Sequence, residues 1–217
     1  MKIYLATGNI NKKREMSEIL PGFEILIPSD EGIEFSPEET GTTFYENSLI
    51  KAKALYDIVR HPVIADDSGI CVDALGGAPG IYSSRYAGPE FMRGKGDGEK
   101  IPQSEQNIFL ISQTNHVIQS GVLPPGTYLH GERSCHYTCA MVLYAGNDRI
   151  FVAQETLEGA LVNSIAEAAG SGGFGYDPIV YLPEVGRTAA ELSAEEKNRI
   201  SHRGKAVRAL KRIAGIG

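Results

Sequence analysis

Two adjacent carboxylates, Asp66 and Asp67, close the apolar run 62–65 and are followed at once by Ser68 and Gly69. A strand that stops in a carboxylate pair presents oxygen ligands at its carboxyl end, where α/β proteins place their ligand clefts. Hard cations such as Mg²⁺ take carboxylate oxygens and usually bring substrate phosphates with them. Asp-Asp-Ser-Gly is also good turn chemistry, and for the pair alone a solvated turn is the simpler reading. Thr7-Gly8-Asn9-Ile10-Asn11-Lys12 follows the first apolar run. A glycine-containing turn between strand and helix exposes backbone amides where the helix dipole favours phosphate, and Lys12 adds a point charge. The spacing is not that of a P-loop. Alone, this segment reads as an ordinary helix cap.

Three further segments carry polar groups with a chemical use. Glu38-Glu39-Thr40-Gly41 precedes a helix on which Asn47 and Lys51, four apart, share a face. Gly170-Ser171-Gly172-Gly173-Phe174-Gly175 formally matches G-x-G-x-x-G. Pro178 stops a helix from opening after it, so a dinucleotide fingerprint is rejected. What remains is a loop presenting Phe174, Gly175, Tyr176 and Asp177, and an aromatic on such a loop can stack on a flat ligand. A core aromatic beside a tight turn fits that segment equally well. Finally, Lys197, Ser201, His202 and Arg203 lead into the last helix. Cations at a helix N-terminus are misplaced unless they answer an anion or a keto oxygen, although solvated charge is the default.

Composition bounds these readings. The chain has 217 residues, 42% hydrophobic and 22% charged, enough for one sizeable domain or two tightly joined lobes. A net charge of −6 and a pI near 5.4 argue against a general nucleic-acid binder, which needs a basic face. No apolar run approaches a membrane span and no signal segment opens the chain, so no membrane is expected. The odd set Cys71, Cys135 and Cys139 does not describe a disulfide framework. Cys135 and Cys139 with His130 and His136 raise a zinc site, but reduced, buried strand thiols fit better. A cytoplasmic setting is expected.

The elements that must hold these residues alternate. Strands are expected over 2–6, 23–27 and 62–65, and helices over 12–20 and after Thr43, which has capping-box spacing to Glu46. The second helix carries Leu49, Ala52, Tyr56 and Val59 on one face. Within 88–133, residues 94–98 are flexible and polar, and a helix over 104–117 is anchored by Ile108 and Ile111. A hairpin joins 135–144 to 150–153. The last helix spans 201–214 with Ala206, Leu210 and Ile213 inward. The fold class is α/β: a mixed central sheet with flanking helices, two lobes enclosing a nucleotide cleft, and the second lobe carrying the hairpin.

Five blocks in one order resemble the inosine/xanthosine triphosphate pyrophosphatase family. They are Thr7-Gly8-Asn9 with Lys12, and Glu38-x-x-Gly41 with Glu46-Asn47 and Lys51-Ala52. Then come Ala65-Asp66-Asp67-Ser68-Gly69 with Gly76-Gly77-x-Pro79-Gly80 and Ser84-Arg85-Tyr86, and Gly173-Phe174-Gly175-Tyr176-Asp177-Pro178. Ala190-Glu191-Leu192 with Lys197 and Ser201-His202-Arg203 completes the set. The resemblance covers 1–88 and about 135–215; residues 88–133 depart from it, being longer and richer in Gly and Pro. It implies a single domain over 1–217 that cleaves ITP, dITP or XTP to the monophosphate and pyrophosphate with Mg²⁺, as a homodimer. It implies that Glu38, Asp66 and Asp67 arrange the metal, with Asp67 as base for the attacking water. It places Thr7 to Lys12, Lys51 and Ser68 on the substrate's phosphate side, and Phe174 to Asp177, Lys197, His202 and Arg203 on the nucleoside. Lys and Arg carry only donors, so they accept a keto edge and leave adenine's amino group unpaired. A catalytically silent nucleotide sensor on the same fold is the alternative; the retained carboxylates favour the enzyme.

Overall fold

The computed structural model describes residues 2–88, 90, 101–173 and 175–216. Its strands are β1 (Lys2–Leu5), β2 (Glu24–Leu26), β3 (Val63–Val72), β4 (Ser134–Tyr144), β5 (Ile150–Leu161), β6 (Val180–Leu182) and β7 (Arg187–Thr188). They form one sheet in the order β2-β1-β3-β4-β5-β6-β7. The α-helices are α1 (Ile10–Ile19), α2 (Phe44–Val59), α3 (Gln103–Ser120), α4 (Ala194–Ile200) and α5 (His202–Ala214). The mixed α/β architecture is the expected one. Strands β1 and β2 pair in parallel, as do β1 and β3, whereas β5–β6 and β6–β7 are antiparallel.

The chain divides into two compact units. The first comprises residues 1–68, 138–155 and 198–217, the second 69–137 and 156–197. In the first unit the strand period of two sorts the apolar side chains onto opposite faces. Ile3, Leu5 and Ile64 join Met16, Leu20, Ala206, Val207 and Leu210, the inward residues of α1 and α5. Tyr4, Ala6, Val63 and Ala65 join Ala52 and Leu55 of α2. Helix α2 is fixed at its start by the expected capping box: Glu46 N donates to Thr43 Oγ1 at 3.1 Å, and Glu46 Oε2 accepts from Thr43 N at 3.2 Å.

In the second unit α3 extends three residues beyond the expected helix at its C-terminal end, and a left-handed Gly121 closes it. Its inward residues are Gln106, Asn107, Leu110, Ile111 and Thr114. Ile108, expected as an anchor, is 49% exposed. Gln106 takes the buried register because its amide reaches the Ser84 carbonyl at 3.3 Å. The same correction applies to Ile213, which is 56% exposed, while Ala206, Val207 and Leu210 supply the inner face of α5. After Pro178 only a three-residue 3₁₀ turn forms, so no helix follows the glycine loop. Helix α4 was not anticipated at all.

The main departure concerns β3. The strand expected to stop in the carboxylate pair does not: β3 runs on through Asp66-Asp67-Ser68-Gly69 to Val72. An interior strand has ladder partners on both sides, and that outweighs local turn preference. Gly69 makes the continuation sterically feasible, since a Cβ there would lie 2.4 Å from both the Gly80 carbonyl oxygen and Ser83 Oγ. Ser83 Oγ accepts from Ile70 N at 2.9 Å and donates to the Gly80 carbonyl at 2.6 Å. The expected mobile stretch 94–98 lies outside the described residues.

Because α2 carries polar groups to the carboxylate strand, loosening its cap should be felt as stability. Thr43→Ala should cost about 1 kcal/mol, a fall in melting temperature of roughly 2–4 °C for a chain of this size. Differential scanning calorimetry checks this; an unchanged midpoint would mean the box contributes nothing.

Candidate functional site

With β3 continuous, Asp66 and Asp67 stand on opposite faces of the sheet. Asp66 follows Ile64 toward α1 and α5. Lys12 Nζ donates to its two oxygens at 3.1 and 2.9 Å, and Arg203 Nε donates to Oδ2 at 3.2 Å. Arg203 is held further by Nη1 to Glu15 Oε2 at 2.9 Å and Nη2 to Ser68 Oγ at 3.1 Å. Three of the five guanidinium donors are thus engaged around a carboxylate that is 2% exposed. Burial alone would raise the Asp66 pKa, but the charges of Lys12, Arg203 and Lys51 overturn it and hold the group far below the usual carboxylate range.

Asp67 follows Val63 and Ala65 toward α2. Asn47 Nδ2 donates to its Oδ2 at 3.2 Å, and Lys51 Nζ lies 3.4 Å from Oδ1. Asn47 is oriented by its own Oδ1, which accepts from Gly41 N at 2.9 Å. That contact explains the glycine, because a Cβ at position 41 would sit 2.7 Å from the same Oδ1. Lys51 also lies 3.3 Å from Glu39 Oε2. Here burial is the largest influence and wins: together with the repulsion of Glu39 and Asp66 it raises the Asp67 pKa, despite Lys51 and the Asn47 hydrogen bond. Lys51 itself is disfavoured as a cation by burial, yet Asp67, Asp66 and Glu39 raise its pKa and keep it charged. Adjacent residues therefore have opposite character: one carboxylate is neutralised by fixed cations, the other is buried and under-compensated.

Thr7 to Asn9 form the loop into α1, whose first turn carries Ile10, Asn11 and Lys12, with Asn9 as cap: its Oδ1 accepts from Asn11 N at 2.9 Å, and Thr7 Oγ1 accepts from Asn9 N at 3.1 Å. Gly8, Ile10 and Asn11 are exposed. Ser201 caps α5, accepting from Gly204 N at 3.0 Å, which buries His202 and Arg203 in its first turn.

Among the described residues no group of three or more His, Cys, Asp or Glu is gathered so as to hold a metal ion. Glu38 is exposed, and Asp66 faces away from Asp67, so Glu38, Asp66 and Asp67 do not form a ready-made ligand set. The neighbour of Glu38, Glu39, is the carboxylate brought to Lys51 and thus to Asp67. A Mg²⁺ ion is commonly held by one or two carboxylates, with substrate phosphate and water completing its shell. The donor chemistry around Asp67, hard oxygens with one raised pKa, fits that pattern. The zinc reading finds no such support: the three cysteines are buried and joined in no disulfide, and burial drives the Cys139 pKa up to about 12.

In the second unit, Lys197 Nζ donates to Asp177 Oδ2 in a buried ion pair. Gly173, at φ +82°, lies against this pair, and a side chain there would collide with both partners. Of the two readings of the glycine loop, the core aromatic beside a tight turn describes Tyr176: it and Asp177 are 5% and 3% exposed. Tyr176 Oη donates to the Ser83 carbonyl at 2.8 Å, and the carbonyl of Gly175 accepts from Asn107 Nδ2 at 3.4 Å. A tyrosine so buried keeps its hydroxyl paired, which aims the ring inward. Phe174 lies outside the described residues.

Sequence reasoning missed Glu15 and Glu39 as partners of Arg203 and Lys51. Glu15 stands three residues after Lys12, on the same face of α1, which was a usable signal. Glu39 gave none that distinguished it from Glu38.

Known proteins match this chain over nearly its whole length. The model of the Ham1 family matches residues 3–213. A dITP/XTP pyrophosphatase of Treponema denticola is 48% identical over 213 residues, covering 98% of this chain and 98% of the relative. The dITP/XTP pyrophosphatase of Escherichia coli is 38% identical, covering 96% and 95%. Among solved structures, a HAM1 protein from Coxiella burnetii superposes with a TM-score of 0.81 at 32% identity, over all of both chains. With the sheet order, the carboxylate strand and its lysines in place, the chain belongs to the Ham1 family.

Proposed function

We propose that this chain is a pyrophosphohydrolase of non-standard purine nucleoside triphosphates, ITP, dITP and XTP, releasing the monophosphate and pyrophosphate in the presence of Mg²⁺. The observation that carries the reading is the contrast between Asp66 and Asp67. A water attacking a polyanion needs a base, and a buried carboxylate whose pKa is raised is a better base than an ordinary one. Asp67 takes the water's proton, and its Oδ2 is held by Asn47 so that the lone pairs keep their aim. Asp67, with Glu38 or Glu39, would hold Mg²⁺, which when bound neutralises charge developing on the phosphates. Lys51 faces the same phosphates. Asp66 serves differently from the first expectation: it holds Lys12 at the end of the Thr7 to Lys12 loop, whose amides and Lys12 ammonium receive the phosphate chain.

On the nucleoside, Phe174 to Asp177, Lys197, His202 and Arg203 are assigned to the base. Asp177 orients the Lys197 ammonium, and an ammonium suits a keto oxygen and repels an amino donor. Arg203, engaged with Asp66, Glu15 and Ser68, braces the phosphate side as well. The reading treats 1–217 as one catalytic domain working in a reducing compartment, supported by three buried cysteines joined in no disulfide. Among the described residues no helix is long and apolar enough to cross a membrane. A homodimer is part of the reading. Supporting it, Ile108 and Ile165 stand 49% and 44% exposed beside a 430 Å³ pocket of the second unit.

Pyrophosphate release from dITP, XTP and dATP, with Mg²⁺ and with EDTA, tests the activity directly; no turnover of any would leave a silent nucleotide sensor. Asp67→Asn should lower turnover by at least ~10²-fold. Because the Asp67 pKa is raised in the folded state, its ionisation opposes folding, and that cost grows as pH rises through the carboxylate range. The variant should therefore melt at or above the wild-type temperature at pH 7, with the difference shrinking toward pH 4. A lower melting point at pH 7 would show that the Asp67 charge is stabilising instead.

Asp66→Asn should behave oppositely. Its depressed pKa supplies stability present above the unfolded carboxylate pKa and lost as pH falls through the folded one. Removing that charge leaves Lys12 without its counter-ion and Arg203 with Glu15 alone, a loss of about 3–5 kcal/mol for a buried pair. Calorimetry at pH 7 should show a large drop in melting temperature, and equal stabilities of variant and wild type would remove the anchoring role. For the base, Lys197→Ala should cut kcat/KM on dITP about 10- to 10²-fold more than on dATP. An unchanged dITP/dATP ratio rules Lys197 out as the keto reader.

A further inference from the structure

Among the described residues of this acidic chain, cations are concentrated on the face of α5 turned away from Arg203. Lys205, Arg208, Lys211 and Arg212 fall within eight residues and recur at three- and four-residue steps, so they form a single stripe. With Glu155 of β5, Gly215 and Ile216 they line a pocket of about 700 Å³ within the first unit. Lys211 and Arg212 in the last turn complement the helix dipole, which accounts for two of the cations. It does not account for Lys205, which stands in the first turn, at the positive end of that dipole. Nor does it account for Arg208, which repels neighbours three and four residues away. Arg208 is also held in place: Nη1 donates to the Asn198 carbonyl at 2.8 Å and Nη2 to the Arg199 carbonyl at 2.5 Å. Among the described residues that line the pocket, one is a carboxylate, Glu155, and four are cations.

We propose that this groove is a binding site for a phosphate chain, distinct from the carboxylate site of β3. Clustered, partly fixed Arg and Lys side chains suit a ligand with several anionic oxygens along its length, because each oxygen takes a charge-assisted hydrogen bond. A fixed cluster of one sign in an otherwise acidic protein also concentrates such anions locally. The apolar edge at Ile216 leaves room for a nucleoside beside the chain, so an inorganic oligophosphate and a nucleoside triphosphate share the chemistry. The inference goes beyond the proposed hydrolysis and does not depend on it.

The test uses the full chain with tripolyphosphate as probe, and sulfate at equal ionic strength as control. Amide chemical-shift mapping of the wild type should show saturable changes at 205–216 in addition to those around Thr7 to Lys12. Lys211→Gln/Arg212→Gln should lose at least ~10-fold in affinity at that locus while keeping wild-type dITP turnover. Repeating the titration with non-hydrolysable dITP distinguishes the two sources: tighter binding than tripolyphosphate assigns a nucleotide, equal binding a bare phosphate chain. Shifts confined to the Thr7 to Lys12 region, or changes at 205–216 that sulfate reproduces, would overturn the proposal. Absence of dITP turnover in the wild type would overturn the hydrolase reading and leave this map untouched.

Discussion

The arrangement rests on one constraint: two consecutive strand residues cannot face the same way. Once β3 continues through Asp66 and Asp67, the pair is divided between two chemical environments by the period of the backbone. The face shared with α1 and α5 delivers Lys12 and Arg203, and the face shared with α2 delivers Asn47 and Lys51. Neither set would reach both carboxylates from a turn. The apolar residues preceding the pair enforce this division. Ile64 must join the cluster around Met16 and Leu210, while Val63 and Ala65 join that around Ala52 and Leu55. A slip of one residue would exchange every one of these partners.

The separation gives the two carboxylates opposite thermodynamic signs. Asp66 is more buried, yet its fixed cations are close and numerous enough to outweigh desolvation. Asp67 meets a single lysine at longer range and shares it with Glu39. Asp66 therefore stabilises the fold as an anion, and Asp67 is kept at some cost to stability. That imbalance is expected of a group retained for chemistry rather than for packing.

Where local chemistry and periodicity agreed, the sequence was legible. The Thr43–Glu46 box, the alternation in β1 and the inward face of α2 all follow from short-range rules. The readings that failed needed long-range information. Asp-Asp-Ser-Gly is a turn by composition and a strand by its neighbours in the sheet. Ile108 and Ile213 looked like anchors because they are apolar, but Gln106 and Val207 occupy the buried registers. Tyr176 looked presented by a glycine loop, yet its hydroxyl reaches a carbonyl 93 residues away in the chain. The site residues were legible as types, while their partition onto two faces was not. Pairing a lysine with one aspartate rather than its neighbour depends on sheet register, which no local pattern specifies.

Helix α5 shows the same division on a second element. Its inner face supplies Arg203, Ala206, Val207 and Leu210, which tie the anchor of Asp66 to the apolar core. Its outer face gathers cations that the core has no use for. Arg203 tolerates burial because three of its nitrogens meet acceptors; the outer cations keep their charge by remaining near water. Helix α5 therefore anchors a buried carboxylate with one face and holds cations at the water with the other.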